Sequence, residues 1–178
     1  MSQLFLIRRI IISLSLDEHK TTGCKTPVGK PLLNRDLDVC PRKHKWLYRG
    51  ALGMLSYLAN IARPEIQMAV HQTARFSMNP MRSQELSIVR IGRFLNDNTD
   101  CGLFYTVDKS RGLEVHVHAY FVGGWNMVDS TNAGNFLYRT GFVIRYAGCP
   151  VIWSSKLQTE IALSTAEAEY IAMSQALR

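Results

Sequence analysis

The stretch EVHVHAYFVGGW, residues 114–125, decides the fold class. Alternation puts Val115, Val117 and Ala119 on one face and Glu114, His116, His118 and Tyr120 on the other, and Gly123-Gly124 ends the run. This is a β-strand with a chemically rich face. It stands just past the point where the hydrophobic period of the chain changes. Up to Asp100 apolar residues recur every three or four positions, and beyond it they recur every two.

Downstream, the runs RTGFVIRYAG (139–148) and PVIWSS (150–155) read as further strands, and GLFYTV (102–107) as one upstream, joined by Gly-, Asn- and Asp-rich turns. The segment 109–112 is a hairpin-like connection. The chain closes with STAEAEYIAMSQALR (164–178), where Ser164 as N-cap and Glu167 three positions on form a capping box. Glu167 is explained by the cap. Glu169, about 200° further round the helix, lies beside the apolar stripe of Ala168, Ile171 and Ala172. Its two readings are a surface charge and a single metal-binding carboxylate.

Upstream of the sheet, three segments carry helical spacing: WLYRGALGMLSYLANIA (46–62), PEIQMAVHQTARFS (64–77) and MRSQELSIVRIGRFLND (81–97). Pro64 suits a first helical turn and Asn79-Pro80 separates the last two segments. His71, alone in the second, is a surface or capping histidine. The first sixteen residues, MSQLFLIRRIIISLSL, align Leu4, Ile7, Ile11 and Leu14 on one helical face. As a secretory signal the run is interrupted by Arg8 and Arg9, so an amphipathic helix is the better reading. Between it and Trp46 lies a Pro-, Gly- and Lys-rich linker, TGCKTPVGKPLLNRDLDVCPRKHK (22–45). The expected organisation is therefore 1–45, an N-terminal helix and basic linker; 46–98, a three-helix region; and 99–178, a sheet with one C-terminal helix. The class is α+β.

With 178 residues, 47% hydrophobic and 20% charged, the chain suits one domain or a small domain with an extension. No run approaches the ~18 apolar residues of a membrane span. The net charge of +7 permits nucleic acid or anionic surfaces as partners without requiring either. Cys24, Cys40, Cys101 and Cys149 contain no C-x-x-C pair, which argues against a zinc module and for free thiols. His116, His118 and Glu169 could supply three zinc ligands, but no fourth is evident.

The blocks YRGALGMLSYLANIARPEIQMAV (48–70), CGLFYT (101–106) and above all WSSKLQTEIALSTAEAEY (153–170) resemble the Pol polyprotein of Ty1/copia-type retrotransposons. The resemblance runs along nearly the whole chain. No Tyr-x-Asp-Asp motif is present, so a reverse transcriptase is not implied. What is implied is an RNase H-like region: N-terminal helices followed by a truncated, mixed sheet with one C-terminal helix. The family's first strand carries Asp-Ala-Asp, where this chain has His118-Ala119-Tyr120; the helix glutamate matches Glu169. The third carboxylate is expected on a strand beyond Arg178, and Met1 inside a longer ancestral frame.

Hydrolysis by two Mg²⁺ ions about 3.5–4 Å apart needs bridging carboxylates, and imidazole brings no charge to offset them. The resemblance thus implies a non-catalytic protein with His118, Tyr120 and Glu169 as vestiges, and Mg²⁺ only if the RNase H reading were right. The helices would neighbour a primer–template duplex in the family. That makes Arg42, Lys43, Lys45, Arg90 and Arg93 candidate phosphate contacts, with Arg75 and Arg82 beside them; the pattern is altered around Gln84, Glu85 and Val89. The chain is also similar to oomycete secreted RxLR effectors of downy mildews, with Arg35-Asp36-Leu37-Asp38 where the motif has Arg-x-Leu-Arg. That implies secretion, entry into a host plant cell and a host protein as partner. The alternatives are an intracellular RNase H fragment binding or cutting hybrids, and a remnant without selected function.

Overall fold

The predicted helix forms as α1 (Leu4–Ser13): Ile7 and Ile11 of the expected face are buried, with Leu14 just past its end, Ile10 joins them, and Leu4 at the first turn is 40% exposed instead. The computed structural model describes residues 3–16, 23–29, 40–121 and 137–178. These divide into two units between Leu103 and Phe104.

In the first unit α1 packs on α2 (Tyr48–Ile61) and α4 (Arg82–Asp97), with α3 (Gln67–Ala74) following a 3-10 turn at Pro64–Ile66. Pro64 opens that turn as its missing N–H predicts. Leu55, Leu58, Ile66, Ile88, Ile91 and Leu95 join the α1 isoleucines in one core. Gly92 leaves the space on α4 that Leu14 and Leu16 fill: a Cβ there would stand 2.7 Å from a methyl of each. Arg63 is buried too, donating to Asn98 O (2.9 Å) and pairing with Glu65.

The second unit is a three-stranded antiparallel sheet in the order β1 (Leu113–Phe121), β2 (Tyr138–Tyr146), β3 (Cys149–Leu157), with α5 (Thr165–Ala176) packed on β1 and β2. The α+β class and the C-terminal helix are as expected. Every described pairing is antiparallel, because no described strand offers the parallel partner that a mixed sheet needs. Ala147 and Gly148, both at positive φ (51° and 78°), turn β2 into β3, the backbone that a two-residue hairpin with right-handed twist requires.

GLFYTV is not a strand. Residues 102–107 hold no ladder, and the segment touches the sheet through Asp108 N–H donating to Ala147 O (2.9 Å) and through Cys149 Sγ, which donates to Thr106 O. Alternation alone makes no strand where no neighbour supplies a row of donors and acceptors.

The core of this unit is made of alanines: Ala119, Ala162, Ala168 and Ala172, flanked by Val117, Tyr138 and Ile171. Gln158 stitches it, donating from Nε2 to Thr140 Oγ1 (3.2 Å) and Ala168 O (2.9 Å). The four cysteines are unpaired. No helix among the described residues is long and apolar enough to cross a membrane.

Charge divides as sharply as secondary structure. Residues 1–103 carry fifteen Lys and Arg against eight Asp and Glu, a net +7; residues 104–178 carry six against six, a net zero.

Candidate functional site

The N-cap of α5 sets the direction of its two glutamates. Ser164 Oγ accepts from Glu167 N–H (3.1 Å), the half of the expected box that forms, while Glu167 Oε2 accepts not from the Ser164 amide but from Leu163 N–H (2.7 Å), one residue before the cap. Glu167 is thereby tied to its own helix start. Glu169, on the opposite side of the helix, reaches β1. Its Oε2 accepts from Ala119 N–H at 3.0 Å, and its Oε1 lies 3.1 Å from His118 Nδ1. Neither reading drawn from the sequence, surface charge or metal ligand, included this role: the carboxylate pins the helix to a backbone donor of the outer strand.

Of the residues matched by resemblance, the fold therefore brings His118 and Glu169 together. Both side chains keep solvent access, and Tyr120 is half exposed beside them. His116 is not gathered in. Its Nε2 is 3.7 Å from Glu114, whose carboxylate is already held by Arg111 through two bonds of 2.9 and 3.1 Å. The Arg111 hydrogen bonds keep the Glu114 carboxyl below its ordinary pKa. Among the described residues no group of three or more His, Cys, Asp and Glu is placed to hold a metal ion.

A Mg²⁺ pair does not fit the donors present. One imidazole and one carboxylate already engaged by a backbone N–H offer neither the oxygen count nor the negative charge that hard dications demand.

The candidate phosphate contacts separate into two kinds. Arg42 is used inside the fold: it donates to Trp46 O (2.6 Å), lies 4.8 Å over the Trp46 ring and 5.3 Å over the Tyr48 ring, and approaches Glu85 at 3.5 Å. Arg90 donates to Thr26 O and Oγ1 (3.1 and 2.9 Å), and Arg93 is half-buried. Lys43 and Lys45 face outward. Arg75 lies over Phe76 and Arg82 pairs with Glu85. Arg35, Asp36, Leu37 and Asp38 lie outside the described residues.

Sequence reasoning missed the role of Glu85. Its side chain is fully buried and accepts from the backbone N–H groups of Lys43 (3.0 Å) and His44 (2.9 Å) and from Arg82. Burial by itself raises its pKa. The two backbone donors and Arg82, with His44 beside them, outweigh burial and hold it down at about 2. One buried acid thus organises the basic segment around residues 42–46. The available signal was an acidic residue on the inward face of an amphipathic helix, which calls for partners.

No family model matches the chain, and no solved structure matches it. Curated relatives do. Over 184 residues it is 31% identical to the "Retrovirus-related Pol polyprotein from transposon TNT 1-94" of Nicotiana tabacum, covering 97% of this chain and 13% of that protein. Over 123 residues it is 31% identical to the corresponding polyprotein of transposon RE1 of Arabidopsis thaliana, covering 69% of this chain and 8% of that one. It is also 30% identical over 129 residues to "Secreted RxLR effector protein 161" of Plasmopara viticola, covering 72% of this chain and 85% of that protein. The chain thus spans a small fraction of the Pol polyproteins and most of the effector.

Proposed function

The chain belongs to the copia-type family of retrovirus-related Pol proteins, and on that premise we propose that it is a non-catalytic, Pol-derived protein that works by binding a host protein as a secreted effector. One observation carries the non-catalytic part: Glu169 is engaged with Ala119 N–H and His118, where hydrolysis would need it and its neighbours to present carboxylate oxygens to paired dications. His118 and Tyr120 bring one nitrogen and one phenol. The chemistry of hybrid cleavage has no foothold there.

The effector part draws support from similarity to the Plasmopara viticola protein, of which the chain covers 85%. In this reading the protein leaves its cell of origin, enters a host plant cell and alters defence or cell-death signalling through a protein partner. The sheet unit, net neutral and with no three-ligand metal cluster among its described residues, supplies a surface for such a partner.

Two measurements test the reading. Purified chain incubated with a labelled RNA–DNA hybrid and Mg²⁺ leaves the RNA strand intact; cleavage that disappears in Glu169→Gln overturns the non-catalytic assignment. Expression in plant cells, with and without residues 1–16, changes cell death or defence output for the full chain. Absence of any host response together with retention in the cell of origin overturns the effector assignment.

A further inference from the structure

The run of apolar residues at the start of the chain is broken by Arg8-Arg9, and α1 shows where that break points. The inward face of the helix, Ile7, Ile10 and Ile11, is buried in the core. The outward positions at i, i+3, i+4 and i+7 are Phe5, Arg8, Arg9 and Ile12, all exposed, Phe5 by 81% and Ile12 by 62%. Two large apolar side chains therefore stand in solvent at either end of a stripe whose middle is two guanidiniums. No acidic residue lies on the helix, and neither arginine has an ion-pair partner among the described residues.

We infer that this outward stripe docks α1 flat on an anionic membrane surface. Phe5 and Ile12 enter the boundary between headgroups and acyl chains, while Arg8 and Arg9 extend to lipid phosphates and carboxylates. Each feature fits that occupant. A nucleic-acid backbone would use the two arginines and leave both apolar side chains wet. A second copy would set Arg8 and Arg9 against their own duplicates. A ten-residue helix with two central arginines cannot span a bilayer, yet it suits the interfacial plane. The surrounding unit carries the whole +7 of the chain, which adds long-range attraction to an acidic leaflet. The inference concerns α1 alone and stands or falls apart from the effector reading.

The test is co-sedimentation of the full chain with vesicles of phosphatidylcholine and with vesicles that also contain phosphatidylserine. Binding is expected to the second kind only, and to weaken as salt rises from about 0.1 M to about 1 M. Arg8→Gln/Arg9→Gln should weaken it about 30-fold, at the strength expected for two surface cations, whereas Arg8→Lys/Arg9→Lys should bind within a few-fold of the parent. Phe5→Ser/Ile12→Ser should weaken it at least about tenfold. All four side chains point away from the core, so the variants should melt with the parent; should the glutamine pair melt early, the lysine pair against Phe5→Ser/Ile12→Ser still decides. No vesicle binding, equal binding to neutral vesicles, or variants that bind like the parent overturns the inference. So does a single-stranded oligonucleotide whose binding needs Arg8 and Arg9 but not Phe5 and Ile12, which would assign the stripe to nucleic acid.

Discussion

The helical unit and the sheet unit hide apolar surface with opposite materials. The first packs Ile7, Ile10, Leu55, Leu58, Ile88, Ile91 and Leu95 at zero exposure, holds a buried carboxylate and carries the entire net charge. The second rests α5 on the sheet through Ala119, Ala168 and Ala172 and is electrically neutral. Small side chains let helix and strand approach closely, but each buries little area, so hydrogen bonds such as those of Gln158 and Glu169 carry a larger share of that packing. The comparison teaches that a single family inheritance can leave one part with a deep core and another with a thin one that depends on polar stitching.

The contrast is open to attack at several places. The largest effect is expected from Leu55→Ala, which opens a cavity in the deep core and should cost about 4 kcal/mol; the check is hydrogen exchange in α2 and α4, and exchange at parental rates would refute the depth of that core. Next comes Glu85→Gln, with a loss on the order of 3 kcal/mol from the uncompensated Arg82 and weakened backbone acceptance. The same residue sets a pH dependence. Its pKa is depressed in the folded chain, so its stabilisation is complete above the ordinary value of 4.5 and is lost as pH falls toward about 2. The urea midpoint of the parent should fall as pH drops through that window, and that of Glu85→Gln should fall less.

In the sheet unit, Gln158→Ala removes the bridge between Thr140 and the Ala168 carbonyl and should cost about 2 kcal/mol, seen as earlier exchange in α5. If the loss there is negligible, polar stitching is not what holds the thin core. The smallest effect, about 1 kcal/mol, is expected for Gly148→Ala, which forces a side chain into the left-handed turn between β2 and β3. A cost confined to the exchange of the hairpin amides would place it correctly.

Much of the fold was legible because its signals are local. The α1 periodicity, Pro64 at the first turn and the Ser164 cap of α5 each lie within a few residues of what they determine. GLFYTV misled for the complementary reason: alternation describes the faces of a strand, and whether a neighbour exists to pair with it is not written in those six residues. At the candidate site, resemblance singled out His118 and Glu169, fifty-one positions apart, and the fold does bring them together.

From its residues alone, then, this chain settles that helices precede strands and a last helix follows them, and that the positions matched to paired acids hold an imidazole and a phenol. Only the folded arrangement settles what each charged group is doing: that Glu85 is buried beneath Lys43 and His44, that Arg42 lies on Trp46, and that Glu169 grips the Ala119 amide. Backbone preference acts over a turn or two, whereas the partner of a charge is chosen by which distant segment the core brings within hydrogen-bonding reach.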